Sequence, residues 1–130
     1  MFQAKYKFIL TVILLLSLSL VFSFTQNQKD NTINTAEVLE LSMIAGGPAV
    51  QQEFNAGESL FQVMKDAELF NKLTFVGKNY PALGFFVTEI NDLKHGDGGN
   101  LLYYVNGEEA QVGVLDYFPR NGDVVEWKLQ

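Results

Sequence analysis

Residues 101–130 read LLYYVNGEEAQVGVLDYFPRNGDVVEWKLQ. Two strand-like runs, Leu101–Val105 and Asp123–Leu129, border the Asn-Gly pairs Asn106-Gly107 and Asn121-Gly122. Asn-Gly between alternating apolar residues is a strong hairpin signal, because both turn residues tolerate positive φ. Alternation along Asp123–Leu129 puts Val124 and Glu126 on one face and Val125 and Trp127 on the other. The stretch predicts the closing part of a small sheet, with the last strand in its core.

Upstream, Ala36–Ile44 (AEVLELSMI) alternates apolar Leu39, Leu41 and Met43 with polar neighbours, the pattern of a first strand. Gly46-Gly47-Pro48 turns the chain into a short second strand, Ala49–Phe54, ended by Ala56-Gly57. Ser59 with Gln62 fits a capping box at the start of the one expected helix. Leu60, Val63, Met64 and Ala67 follow the spacing of one buried helical face, and the helix is expected to end near Phe70 or Lys72. Further strands are expected at Leu73–Val76, Leu83–Ile90 and Glu108–Val114, with Gly84 marking a bulge or a close backbone approach. Leu93–Asn100 (LKHGDGGN) reads as a mobile glycine-rich loop, and Asp116–Arg120 crosses to the second Asn-Gly turn. Two strands, one helix and several strands predict an α+β roll, one helix packed on a mixed β-sheet. A β-grasp-like arrangement is its simplest form and sets the first and last strands side by side.

Phe8–Phe24 is apolar apart from Thr11, Ser17, Ser19 and Ser23; Lys5 and Lys7 precede it and polar TQNQKDN follows. That is the order of a secretory signal, and the run of roughly 17 residues also meets the lower limit for spanning a bilayer. Residues 1–24 are expected to be a signal peptide or an N-terminal membrane anchor, 25–35 a polar linker, and 36–130 the folded domain. Either reading of the first segment puts the domain outside the cytoplasm, secreted or anchored, with membrane contact only through that segment. The chain has no cysteine, so neither a disulfide framework nor a lipid-modified N-terminal Cys is available. Setting aside Lys5 and Lys7 leaves seven basic against fifteen acidic residues, a net charge of −8. Such an acidic domain repels phosphate backbones, which argues against nucleic acid as a partner.

Several motifs, in order, resemble the transcobalamin-like C-terminal domain family. Ala56-Gly57-Glu58-Ser59-Leu60 resembles that family's AGxSV/L helix start, and LGFFVTEIN (Leu83–Asn91) its GLGYFVxxING. Tyr103-Tyr104-Val105-Asn106-Gly107 matches YYVNG, Val112-Gly113 with Tyr117 is similar to VGxxxY, and NGDVVEW (Asn121–Trp127) to DGDVIEW. The resemblance spans roughly Val38–Leu129. It implies a β-grasp-like fold, and in the animal cobalamin carriers the corresponding domain covers one face of the corrin while a helical barrel holds the other. Many microbial members are short exported domains of unknown function. Leu101 stands where many members place an aromatic, and no barrel is present in these 130 residues.

Catalytic chemistry is thinly supplied. After the targeting segment the serines are Ser42 and Ser59, and Ser59 serves as a helix cap. The sole histidine, His95, would be the only conventional base for a nucleophile. Glu108 with Glu109, and Asp116 with Asp123, are explained by a solvated edge and by turns. No catalytic residue and no metal site is expected: a metal needs three or four ligands, and no second His or any Cys exists. His95 beside Asp97 reads as an exposed loop residue, with ligation of a metal or of a corrinoid cobalt as the alternative. The loop 95–100 lacks the full calcium-loop spacing.

Aromatics remain. In adjacent pairs such as Phe85-Phe86 and Tyr103-Tyr104 only one residue can face the helix, and the other must meet solvent, a loop or a partner. If their strands are neighbours, these pairs make a cross-strand patch on the open face. The candidate ligand-contacting residues are Phe86, His95, Tyr103, Tyr104 and Tyr117. The expected function is a non-enzymatic extracytoplasmic module that requires no cofactor and binds a ligand. The family suggests a corrinoid, with another small molecule in its place or an envelope protein docked on the surface as alternatives.

Overall fold

Strand β1 (Val38–Ala45) pairs antiparallel with β2 (Val50–Asn55), Leu41 opposite Gln52 and Leu39 opposite Phe54. In this computed structural model residues 37–130 are described, so the expected signal or anchor segment and the linker lie outside the described residues. The burial of Leu41, Met43 and Ala45 follows the alternation legible in the sequence. The closing strand β8 (Val124–Leu129) runs parallel to β1, Ser42 opposite Val124 and Ala45 opposite Trp127. It is also antiparallel to β6 (Leu101–Val105), Tyr103 opposite Trp127. With β7 (Glu108–Glu109) on β6, the sheet order is β2-β1-β8-β6-β7. The last strand is therefore flanked on both sides, next to the first strand as expected.

Helix α1 (Leu60–Leu69) is set by local chemistry at both ends. The Ser59 hydroxyl accepts from the Gln62 N–H, but the Gln62 side chain turns to Asp66, so only half of a capping box forms. Asn71, at φ 55°, ends the helix: its N–H goes to the Glu68 carbonyl and that of Lys72 to Ala67, a Schellman closure. The expected face, Leu60, Val63, Met64 and Ala67, is fully buried, and each large side chain so buried contributes about 1.5–3 kcal/mol.

The remaining strands depart from a single mixed sheet. β3 (Phe75–Tyr80), β4 (Gly84–Ile90) and β5 (Leu93–Lys94) form a separate three-stranded antiparallel sheet. Its inner residues Val87 and Ile90 join the core shared by α1, β1, β6 and β8. Val87 and Ile90 are three apart, which simple alternation forbids. Gly77 pairs with Val87 but Val76 pairs with Glu89, so Thr88 is an extra residue and the bulge resets the face. Asn91 ties the small sheet to the large one: its side chain accepts from the Thr74 N–H and donates to the Ala45 carbonyl.

Glu108–Val114 is not a strand beyond Glu109. Its carbonyls are used elsewhere: Val112 accepts from the Tyr103 hydroxyl at 2.7 Å, and Val114 from the Phe61 N–H at 2.9 Å. The carbonyl of Tyr117 takes the Leu60 N–H at 2.8 Å. The segment after β7 thus caps the helix instead of extending the sheet.

Asp123, 6% exposed, ties the closing turns together. It accepts from the Tyr117 hydroxyl at 2.5 Å, the Arg120 N–H at 2.9 Å and the Asn106 amide at 2.8 Å. Burial pushes its carboxyl up, but these three hydrogen bonds and the Arg120 charge outweigh burial and hold it below its ordinary value. A carboxylate depressed in the folded state stabilises the fold above the unfolded value of 3.8 and loses that contribution as pH falls through the folded value.

Two consequences can be measured by urea unfolding. A Cβ at Gly77 would lie 2.3 Å from the Phe85 ring and 2.6 Å from the Phe86 carbonyl. Gly77→Ala should therefore lower stability by about 1–3 kcal/mol, and an unchanged midpoint would contradict the close approach. Tyr117→Phe removes a donor to a buried carboxylate and should cost about 1.5–3 kcal/mol at neutral pH. That penalty should shrink as pH falls from 3.8 through the depressed folded value, below which Asp123 is protonated in both states; a pH-independent penalty would contradict the assigned bond.

Candidate functional site

The two sheets do not close on each other completely. Between β4 and β6 lies a cleft of about 160 Å3 lined by Phe85, Phe86, Val87, Leu101, Leu102, Tyr103 and Trp127. The segment after β7 supplies the remaining wall through Ala110, Val112, Gly113 and Val114. No lining residue carries a charge. Tyr103 reaches across to hold that wall through its bond to Val112, and its ring stacks on Trp127 at 5.1 Å between centroids. Burial, with the Asp116 charge, pushes the Tyr103 phenol up to about 12, so it stays a neutral donor across the physiological range.

The expected cross-strand aromatic patch is corrected by this arrangement. Residues of β4 and β6 are in different sheets, so Phe86 and Tyr103 meet across the cleft instead of side by side on an open face. Phe85 turns inward to a cluster with Phe61 and Phe75, at 4.8 and 6.1 Å between centroids. Phe86 is 39% exposed.

His95 stands edge-on to Phe86 at 5.1 Å, outside the cleft lining. Its Nδ1 accepts from the Leu101 N–H at 3.2 Å. A neutral imidazole bonded in this way carries its proton on Nε2, so neither nitrogen offers a lone pair while the bond persists. Ligation of a metal by His95 would require breaking the contact that starts β6. Among the described residues no group of three or more His, Cys, Asp or Glu is placed to hold a metal ion.

The other two candidates lie away from the cleft. Tyr104 is buried under the Lys128 ammonium, 5.0 Å from its ring centroid. Tyr117 packs edge-on to Tyr103 at 6.2 Å but spends its hydroxyl on Asp123. Burial first, then the bond to that carboxylate, raises its pKa well above the ordinary tyrosine value. Tyr117 is thus tied into the turn network and belongs to the scaffold behind the cleft.

The glycine-rich loop is pinned at several points. His95 N–H donates to the Thr88 carbonyl, Gly96 N–H to Gly99, and Asn100 exchanges both backbone bonds with Gln130. A Cβ at Gly99 would sit 2.7 Å from the Gln130 carbonyl oxygen, so glycine is what lets the C-terminal residue pack there.

Sequence reasoning placed Trp127 in the core and went no further. Trp127 is 4% exposed, its ring forms part of the cleft wall, and its buried indole N–H has no acceptor among the described residues. Among those residues the other buried side-chain polar atom without a partner is Gln52 Oε1, on the edge strand β2. Leu102 and Val114 were likewise not singled out, and Val112 entered only through the VGxxxY resemblance. Leu102 carried the signal of a strand residue, and Val112 and Val114 that of apolar residues in an expected strand that does not form beyond Glu109.

Known structures share this architecture. The chain resembles haptocorrin, solved in complex with Cbi, with a TM-score of 0.63 and 20% identity. That match covers 75% of this chain and 27% of haptocorrin, so the chain spans about a quarter of that protein. It also resembles a protein of Ruminococcus gnavus ATCC 29149 described as a candidate metal binding protein, with a TM-score of 0.51 and 15% identity. There the match covers 72% of this chain and 97% of the other. At these identities the likeness is one of fold. No curated protein sequence matches the chain. The family model that does match runs over residues 57–130, from the turn before α1 through the last strand. With more than half of the sequence inside that match, the chain belongs to the family described as Domain of unknown function (DUF4430).

Proposed function

We propose that the chain is a non-enzymatic, extracytoplasmic module that binds a small molecule at the cleft between its two sheets. The observation that carries this reading is the cleft itself: an uncharged, aromatic recess in a domain of net charge −8. Ligand sites are typically concave and apolar with few polar groups, which is the composition found here. The outward placement follows from Lys5, Lys7 and the apolar run Phe8–Phe24.

A corrinoid is the ligand that the family resemblance suggests, and the likeness to a domain of haptocorrin supports that choice at the level of fold. Typical enclosing pockets run from about 300 to 1,000 Å3, so a cleft of about 160 Å3 accepts part of such a macrocycle and leaves most of it outside. A second reading, docking of an envelope protein, draws on Leu83 (85% exposed), Val112 and Phe118, apolar side chains exposed on the surface.

Titration of the protein with a cobalamin, followed by visible absorption and calorimetry, tests the leading ligand. The expected result is a saturable spectral change with a Kd at or below about 100 µM. Absence of both shift and heat in that range removes the corrinoid as ligand. Capture of a membrane protein partner without any small-molecule binding would favour the docking reading.

A further inference from the structure

We propose that the cleft takes the apolar end of its ligand, a hydrocarbon ring the size of benzene, and holds it by shape and apolar contact with no hydrogen bond from a side chain. This rests on the small-molecule reading above and names the chemical class that the same site selects.

The polar groups around the cleft are already engaged or out of reach. No lining residue is charged, and the lining side chains carry two polar groups, the Tyr103 hydroxyl and the Trp127 indole N–H. The hydroxyl spends its proton on the Val112 carbonyl at 2.7 Å. The indole nitrogen is buried within the wall, where a ligand in the cleft does not meet it. The main-chain carbonyls of the wall after β7 are occupied as well. Gly113 accepts from the Asp116 and Tyr117 N–H groups at 3.0 and 3.1 Å, and Val114 from the Phe61 N–H at 2.9 Å. The Tyr103 carbonyl, on β6, takes the Ala110 N–H at 3.0 Å. A ligand acceptor entering this space would shed its hydration and find no side-chain donor, and an ionised group would find no counter-charge. Water is a poor occupant for the same reason, since it needs about two to four polar partners. A hydrocarbon surface loses nothing there and gains by leaving water.

Size and shape narrow the class further. The space of about 160 Å3 matches apolar protein cavities of about 150 Å3 that bind benzene. Tyr103 and Trp127 stack at 5.1 Å on one side, and Phe85 and Phe86 come from the other sheet. Aromatic walls favour a planar ring through offset or edge-to-face contacts. Exposure tells the floor from the mouth. Val87, Leu101, Val114 and Trp127 are buried, whereas Phe86 and Val112 are 39% and 47% exposed, so the space opens between these two side chains. A ligand larger than the cleft therefore enters by its least polar end and leaves its polar part at the mouth, in contact with solvent.

Benzene and pyrazine separate this mode of recognition from hydrogen bonding. The two share size and shape and are uncharged, but pyrazine carries a nitrogen acceptor at each end of its ring. Any pose of pyrazine that fills the cleft therefore buries a nitrogen. Methyl NMR of the full chain locates the contact. Val87 on β4 and Val112 and Val114 on the opposite wall flank the space, while Val50 on β2 lies outside the lining. Benzene should move the three flanking valines saturably and leave Val50 in place, with a Kd on the order of 1 mM, within the ceiling for so small a ligand. Pyrazine should bind at least about tenfold more weakly, because its buried nitrogen gains no donor. Pyrazine bound as tightly as benzene overturns the proposal, and so does benzene that shifts Val50 as much as the flanking valines. Absence of benzene binding also overturns it, and a positive cobalamin titration would then leave the small-molecule reading standing. Benzene bound in preference to pyrazine, with a negative cobalamin titration, supports the subsite and removes only the corrinoid.

Discussion

The fold depends on one buried carboxylate. Asp123 sits at the mouth of the central strand β8 and gathers Tyr117, Arg120 and Asn106 around it. Asn106 and Gly107 both adopt positive φ, at 51° and 88°, so the β6–β7 hairpin turns as a primed turn requires. The Asn106 backbone and side chain then bond Val124 as well as Asp123, which fixes where β8 begins relative to β6. The Asp123 carbonyl meanwhile accepts from Ser42 and starts the parallel pairing with β1. A one-residue slip of β8 would turn Val125 and Trp127 out of the core, so this cluster sets the register on which burial depends. The cluster tolerates a buried charge because every oxygen of Asp123 is matched by a donor, the condition under which burial is affordable.

The same cluster explains the cleft. Tyr117 is fixed by its hydroxyl, and from that position its carbonyl meets the Leu60 N–H at the start of α1. Val114 does the same for Phe61, and Ser59 covers Gln62. The first turn of a helix otherwise leaves its N–H groups unpaired, and here the chain itself satisfies them. The helix start is thereby removed as an anion site. The segment from Ala110 to Tyr117 is drawn toward the helix and away from the sheet edge. It can then stand as a wall opposite β4, with Tyr103 bonded to Val112 as the tie across the gap.

Local pattern carried much of this architecture. The faces of β1 and β8, the buried stripe of α1 and the Asn-Gly turn are set by residues within a few positions of one another, which is the range over which periodicity speaks. The partner of a strand is not local. Leu83–Ile90 and Leu101–Val105 both read as strands, yet nothing in either run says that they belong to different sheets. The bulge at Thr88 is similarly invisible, since it depends on how β3 pairs with β4. The aromatic residues were legible as candidates, but their roles were not. Phe86 and Tyr103 face one space because two sheets meet there, whereas Tyr104 and Tyr117 are consumed by Lys128 and Asp123. His95 was legible as the sole histidine, and its bond to the Leu101 amide depends on a loop conformation that composition does not encode.

Trp127 marks where packing and polar satisfaction diverge. Its ring does what the core needs: it is buried, stacked on Tyr103 and placed opposite Ala45 in the parallel pair. Its N–H does the opposite: it has no acceptor among the described residues, and a buried donor left unpaired costs about 1–3 kcal/mol of folding free energy. A phenylalanine would fill most of the same volume without that penalty. In a domain of this size, with a net stability on the order of 5–15 kcal/mol, the penalty is a substantial fraction of the total. Departures from local consistency of this kind concentrate at functional or strained sites. The Trp127 ring stands in the wall of the charge-free cleft, so a small molecule bound there would stabilise the native state by the apolar surface it covers.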